Sequence, residues 1–169
     1  ASADRVGSGP RAAILVTGDE ILRGRVQERN AGILARSLES RGVVVQRVEV
    51  VGDDLEGIVL ALGRLLDEGP DLLCVSGGLG PTHDDVTMQA VGRALGHPVA
   101  VNAQALAMVA ARSAGILLDN AVQRALQEKQ ASLPEGAVVL PPPGTAPGCV
   151  LAHGATTVVV LPGPPWELE

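Results

Sequence analysis

The sequence predicts an α/β fold in which helices cover both faces of a mostly parallel sheet. Short continuous apolar runs, typical of strands covered on both faces, alternate with amphipathic runs of helical period. Strands that alternate with helices form parallel sheets, because right-handed crossovers place the helices on the two faces. A third observation adds an antiparallel element, since the segment GCVLAHGATTVVVL near the end of the chain predicts a β-hairpin.

The elements follow in order along the chain. The predicted strands are AAILVT (12–17), GVVVQRVEVV (42–51), DLLCVS (71–76) and TTVVVLPG (156–163). A short helix carrying Ile33, Leu34 and Leu38 should stop before Gly42. The next helix has apolar residues at helical spacing from Leu55 to Leu66, and Asp53 with Glu56 predicts its capping box. Residues 86–95 and 103–130 also favour helices, the latter broken near Gly115 to Asn120.

The composition of the chain excludes several classes of function. The 169 residues predict one domain over residues 11–169, after a disordered start at residues 1–10. The 13 basic and 19 acidic residues give a net charge of −6, the wrong sign for binding nucleic acid. Trp166 is the only aromatic residue, and no run approaches the roughly 20 apolar residues of a membrane span. We therefore expect a cytoplasmic protein with a small-molecule ligand and no nucleic-acid or membrane partner.

Two loops that follow predicted strands have unusual content. In such folds, ligands bind beyond the carboxyl ends of the strands. The loop TGDEILRG (17–24) places Asp19 and Glu20 directly after the first strand. The loop SGGLGPTHDD (76–85) follows the third strand and is expected to open a helix at Thr82. Its glycines allow backbone N–H groups to approach an anion, although the loop matches neither the dinucleotide fingerprint nor the P-loop.

The two aspartates that end the second loop have two interpretations. In the first, Thr82 caps the helix, Asp85 completes a capping box, and Asp84 complements the helix dipole. In the second, a carboxylate holds a divalent cation, which meets a phosphate bound by the glycines. Mg²⁺ typically uses one or two carboxylates together with substrate phosphates. The second acidic loop, with Asp19 and Glu20, favours the metal interpretation.

Six motifs carry a family resemblance. In order, they are GDEILRGRVQERNAGILARSL, GDD, SGGLGPTHDDVT, EKQASLPEGA, GTAPG and LPGPPWEL, and they span nearly everything from Arg11 to Glu169. This series resembles the N-terminal domain of competence/damage-inducible protein A (CinA), a branch of the molybdopterin-binding (MoCF biosynthesis) superfamily. The resemblance implies a three-layer α/β/α sandwich with a C-terminal hairpin, and a homo-oligomer, dimer or trimer. It also implies similarity to metal-dependent ADP-ribose pyrophosphatases and to proteins that bind or adenylylate molybdopterin.

The resemblance also assigns roles to residues. It implies catalytic roles for Asp85, Glu20 and Lys129, with Asp85, Asp84 and Glu20 as metal ligands. The residues implied in ligand binding are Gly18, Asn30, Ser76, Gly77, Gly78, Gly80, Pro81, Thr82, Gln130, Gly163 and Pro164. One departure is that Pro141 to Pro143 fill a region where the family often has an Asn.

The expected activity is hydrolysis of a nucleotide diphosphate linkage, such as that of ADP-ribose, with a divalent cation such as Mg²⁺. Asp85 and Glu20 would be ligands or base, backbone donors of residues 77–80 would stabilise phosphate charge, and Lys129 would neutralise the pyrophosphate. Two alternatives remain open. The domain could bind molybdopterin or a nucleotide without turnover, or it could adenylylate molybdopterin with ATP and release pyrophosphate.

Overall fold

The computed structural model describes residues 9–113 and 120–168. Most of the expected disordered start and nearly all of the expected helix break lie outside these residues. The strands are β1 Arg11–Thr17, β2 Val44–Val51, β3 Leu72–Ser76, β4 Val99–Val101, β5 Ser132–Pro134, β6 Val138–Leu140, β7 Gly148–His153 and β8 Thr156–Leu161. The helices are α1 Asp19–Leu22, α2 Asn30–Glu39, α3 Leu55–Asp67, α4 Thr87–Leu95, α5 Ala103–Arg112 and α6 Asn120–Gln130, followed by a 3-10 helix at Pro165–Glu167.

The main sheet has six strands in the order β2-β1-β3-β8-β7-β6. The first four are parallel: Ile14 of β1 pairs with Val48 on one side and Cys74 on the other, and Cys74 pairs with Val159 of β8. The last two run antiparallel, and β7 with β8 forms the predicted hairpin. The predicted fold class, a mostly parallel sheet with a C-terminal hairpin, is confirmed. The pair β4 and β5 forms a separate antiparallel ribbon.

Alternate residues of the central strands face two cores. Ile14, Val16 and Cys74 pack with α2, which contributes Ala31 and Leu34. The intervening strand residues pack on the other face with buried residues of α3, α4 and α5: they include Leu15, Leu73 and Val75 of the strands and Ile58, Leu62, Leu65, Val91 and Val109 of the helices. Helices therefore cover both faces of the sheet, as the unbroken apolar strands predict.

Both cysteines are free and buried, as expected from their apolar surroundings. Burial raises the pKa of Cys74 to about 11 and that of Cys149 to about 12, so both remain protonated thiols. Across residues 9–113 and 120–168, none of the helices combines the length and apolarity that a membrane crossing requires.

Two predicted helix starts are wrong. The N-cap of α3 is Asp54, whose carboxylate accepts a hydrogen bond from the Gly57 amide at 2.7 Å, whereas Asp53 turns toward Asp19. The helix expected to open at Thr82 begins at residue 87 instead. The reason is that residues 81–86 form turns, in which the Asp85 carboxylate takes the Thr82 amide.

Candidate functional site

Four parallel strands end at one edge of the sheet, and the loops that follow them build the site. These loops begin at Gly18 after β1, Gly52 after β2, Gly77 after β3 and Pro162 after β8. The residues that the sequence places in separate motifs are therefore brought together at the carboxyl edge, where ligands of parallel α/β folds bind.

A cavity of about 380 Å³ lies at this edge, and we call it the acidic cavity. Five carboxylates line it, namely Glu20, Glu28, Asp53, Asp84 and Asp85. The other predicted site residues on its wall are Gly18, Asn30, Gly77, Gly78, Gly163 and Pro164. The structure thus gathers most of the predicted site residues around one space.

Two smaller cavities adjoin it. The lysine cavity, about 230 Å³, includes Gly80, Lys129 and Gln130. The proline cavity, about 260 Å³, is lined by both Gly80 and Gln130, together with Pro81, Gly163, Pro164 and Glu167. Gly78 and Asp85 line all three cavities. Lys129 therefore shares a cavity with the glycine loop and Asp85, but it does not line the acidic cavity with Glu20.

The glycine loop after β3 has a backbone shape that side chains disfavour. Gly77 and Gly78 have φ values of +107° and +65°. A Cβ atom on Gly77 would lie 2.5 Å from the carbonyl oxygen of Thr17, and one on Gly78 would lie 2.3 Å from Oγ1 of Thr87. Both positions need glycine for its backbone freedom and for its lack of a side chain.

The same loop presents free hydrogen-bond donors. Within residues 9–113 and 120–168, the backbone amides of Gly78, Leu79 and Gly80 find no protein acceptor. The loop is held in place by its own carbonyl, because Gly78 O accepts the amide of Thr87 at 3.3 Å. Successive backbone N–H groups left free in a turn are suited to an anion. The predicted cradle is therefore present as geometry with available donors.

Asp85 closes the turn at the end of this loop. Its Oδ2 accepts hydrogen bonds from both the amide and the hydroxyl of Thr82, at 2.9 and 2.7 Å. This is the reciprocal bond of a capping box, formed without a helix behind it. Neighbouring Asp84 is exposed and lies 3.1 Å from Nε2 of the exposed His83. The capping and metal interpretations of Asp85 are compatible, because Oδ1 makes no hydrogen bond with the described residues.

Asp53 is a site residue that the sequence interpretation missed, since it was assigned to a helix cap. Asp53 Oδ2 accepts the amide of Asp19 at 2.9 Å, and Asp19 Oδ1 accepts the amide of Asp53 at 3.1 Å. Burial raises the pKa of Asp53 above its usual value; the Asp19 amide opposes this, while the charges of Glu20, Asp19 and Asp85 add to it. The signal in the sequence was the repetition of Gly-Asp after two neighbouring strands.

The carboxylates do not form a preformed metal cage. Within the described residues, no group of three His, Cys, Asp or Glu side chains could hold a metal ion. Mg²⁺ is commonly bound by one or two carboxylates plus substrate phosphates and water. The donor set of the acidic cavity therefore fits a cation that arrives with a phosphorylated ligand.

Asn30 and Ser76 support the cavity through bonds within the protein. The Asn30 amide Nδ2 donates to Gly163 O at 2.7 Å and to Ser76 Oγ at 3.0 Å. The Ser76 hydroxyl, which is fully buried, donates in turn to Pro162 O at 3.0 Å. The start of α2, the end of β3 and the loop after β8 are joined by this chain of bonds. Ser76 thus lies beneath the cavity, while Asn30 also reaches its wall.

Glu167 joins the last loop to the segment after β6. Its carboxylate lies against Gly144, where a Cβ atom would meet Oε1 at 2.3 Å. Oε2 is buried and has no hydrogen-bond partner among the residues that the structure describes. Burial raises the pKa of Glu167, and the Gly144 amide and the Arg112 charge lower it only in part. The carboxylate therefore holds the GTAPG segment against the proline cavity.

The fold and the loops define an α/β domain with a composite cavity at the carboxyl edge of a parallel sheet. Residues 13–169 match the family described as the probable molybdopterin binding domain, and the chain belongs to that family.

Comparison with individual proteins places the chain among the CinA-like members of that family. The chain is 44% identical over 164 residues to a CinA-like protein of Mycolicibacterium vanbaalenii, covering 94% of this chain and 39% of that protein. A crystal structure of a CinA protein of unknown function from Thermoplasma acidophilum superposes with a TM-score of 0.84 at 36% identity, covering 94% and 92% of the two chains. The predicted resemblance is confirmed: this is a molybdopterin-binding-like domain of the kind found in CinA-like proteins.

A more distant structure shares the fold alone. The molybdopterin biosynthesis enzyme MoaB of Thermus thermophilus superposes with a TM-score of 0.61 at 24% identity, covering 94% of this chain and 84% of that one. The chain spans well under half the length of the curated CinA-like relative.

Proposed function

We propose that this domain hydrolyses the diphosphate linkage of a nucleotide such as ADP-ribose, with a divalent cation such as Mg²⁺. The proposal rests on one observation: a loop with free amide donors and a cavity lined by carboxylates adjoin each other at Gly78 and Asp85. Free amide donors of residues 78–80 suit a phosphate, and five carboxylates line the adjoining acidic cavity. A phosphate and these carboxylates repel each other unless a cation lies between them.

The arrangement of cavities supports a ligand with two ends. Because Gly78 and Asp85 line three cavities, a diphosphate lying on the glycine loop has separate space for the group at each end. The acidic and lysine cavities measure about 380 and 230 Å³. A diphosphate that links a nucleoside to a sugar matches this layout better than a ligand with a group at only one end of its phosphates.

The residues have distinct roles in the proposed reaction. One or two of Glu20, Asp84 and Asp85 would hold the cation together with phosphate oxygens of the substrate. When bound, the cation would supply Lewis-acid polarisation of the phosphoryl oxygens. Asp53 accepts a proton from the attacking water, a role that suits a carboxylate whose pKa burial has raised. Lys129 lines the cavity on the other side of Asp85 and balances the diphosphate charge.

The reaction balances without further components. The water oxygen bonds to one phosphorus atom, and the bond from that phosphorus to the bridging oxygen breaks. The bridging oxygen leaves with the second phosphate, and the proton of the water passes to Asp53. The amides of Gly78, Leu79 and Gly80 stabilise charge on the oxygens that are not attacked. ADP-ribose and water give AMP and ribose 5-phosphate.

Binding without turnover is the second candidate function. It is favoured by the family description as a probable molybdopterin binding domain, and by the lack, among the described residues, of three side chains that could hold a metal. In this role the same cradle would hold a pterin or nucleotide phosphate for another domain or protein.

One experiment separates the two candidates. The purified domain is incubated with ADP-ribose and each of several divalent cations, and AMP and ribose 5-phosphate are measured by chromatography. Cation-dependent formation of both products supports hydrolysis. Tight binding of ADP-ribose or a pterin phosphate with no product under any cation replaces hydrolysis by the binding role. Pyrophosphate release from ATP in the presence of molybdopterin would instead indicate adenylylation.

A further inference from the structure

Arg29 stands out among the arginines because it lines the acidic cavity without a partner. Five other arginines form ion pairs with carboxylates, and they are Arg23, Arg47, Arg64, Arg93 and Arg124. In residues 9–113 and 120–168, the guanidinium of Arg29 has neither an ion pair nor a hydrogen bond. The adjacent carboxylate of Glu28 does not pair with Arg29 and instead accepts the amide of Ala31 at Oε1, 2.8 Å away.

The backbone of Arg29 is fixed at this position. Arg29 precedes the first residue of α2, and its carbonyl accepts the amide of Ile33 at 3.0 Å. The next residue, Asn30, is held by Gly163 and Ser76 through its side chain. The backbone from which the exposed Arg29 side chain extends is therefore held at the cavity wall.

The charge around Arg29 indicates the chemistry of its partner. It shares the cavity with five carboxylates, yet it is paired with none of them. A planar guanidinium provides paired N–H donors that match phosphate oxygens. We infer that Arg29 binds a phosphate of the ligand that occupies the acidic cavity and so selects phosphorylated ligands over uncharged nucleosides. The inference rests on the proposed function only in requiring a phosphorylated ligand at this site.

Arg36 provides a matched control. It lies in α2, the helix that Arg29 caps, is exposed, makes no ion pair with a described residue and lines none of the three site cavities. Arg29→Gln and Arg36→Gln each remove one positive charge from the same part of the surface. Any difference between the two variants therefore reports the cavity contact rather than the net charge.

The test is calorimetric titration of the wild type and both variants with AMP, ADP-ribose and adenosine, in the presence of Mg²⁺. Arg29→Gln should weaken binding of AMP and ADP-ribose by about tenfold or more, because hydrogen bonds to charged groups contribute most strongly. Arg36→Gln should bind both like the wild type, and adenosine should bind all three proteins alike.

The possible failures are distinguishable. Equal affinity of Arg29→Gln and wild type for AMP and ADP-ribose would overturn the inference, as would an equal loss of adenosine binding. A wild type that binds neither phosphorylated compound would overturn it as well. If the wild type binds ADP-ribose without hydrolysing it, while Arg29→Gln binds it more weakly, the phosphate contact stands and the proposed hydrolysis fails.

Discussion

The side-chain amide of Asn30 donates a hydrogen bond to the carbonyl oxygen of Gly163, 2.7 Å away, across 133 residues of sequence. The same Nδ2 also donates to Ser76 Oγ. One buried amide thus ties the first turn of α2 to the loop that closes the acidic cavity. The position of that loop depends on a donor that only an amide of this size provides.

Asn30→Asp should therefore destabilise the protein, because a carboxylate cannot donate to Gly163 O. An unsatisfied buried acceptor costs about 1–3 kcal/mol, which lowers the thermal midpoint by at least about 2 °C in a domain of this size. Asn102→Asp is the control, since Asn102 caps α5 by accepting the Ala105 amide and an aspartate accepts it equally well. Thermal denaturation compares them, and equal midpoints would contradict the proposed role of Asn30.

Gly78→Ala should damage both stability and ligand binding. A left-handed residue other than glycine costs about 1–2 kcal/mol, and here the Cβ atom would also lie 2.3 Å from Thr87 Oγ1. Gly69→Ala is the control, because Gly69 has a φ of +63° with open space around it. Calorimetric titration with ADP-ribose should show weaker binding for Gly78→Ala alone. Unchanged affinity in that variant would remove the glycine loop from the site.

The sequence predicted β1, β3 and β8 because unbroken apolarity over five or more residues is a strong signal, and it predicted β2 from a valine-rich run interrupted by polar residues. The strands β4, β5 and β6 escaped prediction, since three residues are too few to show a period. Asp53 was misassigned for a different reason. Asp53 and Asp54 are adjacent between a strand and a helix, so from the sequence either could be the N-cap. Only the pairing of β1 with β2 brings Asp53 to Asp19.

The cavities themselves could not be predicted from the sequence. The motifs indicated that Glu20, Asp85 and Lys129 belong to one site. The structure shows that Asp85 lines both the acidic cavity and the lysine cavity, whereas Glu20 lines only the first of these two and Lys129 only the second. That relationship depends on how the loops after β1 and β3 fold over the sheet edge, which no local pattern specifies.

Asp53→Asn should stabilise the protein near neutral pH and abolish its activity. Folding raises the pKa of Asp53, so the native state holds the proton to higher pH than the unfolded chain does. The stability this contributes is complete below the usual value of 3.8 and is lost as pH rises through the native pKa. An asparagine never ionises and can still accept the Asp19 amide.

The measurement is the thermal midpoint of Asp53→Asn and wild type from acidic to neutral pH. The variant should gain over the wild type as pH rises, and the gain should vanish at the acidic end. Asp54→Asn is the control for the loss of one negative charge in the same segment, because an asparagine can still accept the Gly57 amide and keep the α3 cap. A variant less stable than the wild type at neutral pH would argue that the Asp53 charge supports the fold.

Asp85→Asn separates turn closure from chemistry. The asparagine oxygen can still accept the Thr82 amide, so the loss of folding stability should stay within the about 0.5–2 kcal/mol typical of a lost helix cap. Turnover of ADP-ribose should fall strongly, because a neutral asparagine is a weaker ligand than a carboxylate for the cation that Asp85 would hold. Thr82→Val removes the hydroxyl bond to Asp85 and leaves the carboxylate in place, so it should retain activity. A large fall in stability with activity preserved would make Asp85 a structural residue only.

The central claim is that a cation links the carboxylates to a phosphate on the glycine loop, and Trp166 allows a direct test. It is the only aromatic residue, and its neighbours Pro165 and Glu167 line the acidic and proline cavities. Its fluorescence is followed while ADP-ribose is titrated with and without Mg²⁺, and calorimetry repeats both titrations. The account predicts that Mg²⁺ tightens ADP-ribose binding by about tenfold or more, and that ADP-ribose tightens Mg²⁺ binding by the same factor. The claim would be contradicted if the affinity for ADP-ribose stayed the same with Mg²⁺ and with every other divalent cation tested as it is without a cation.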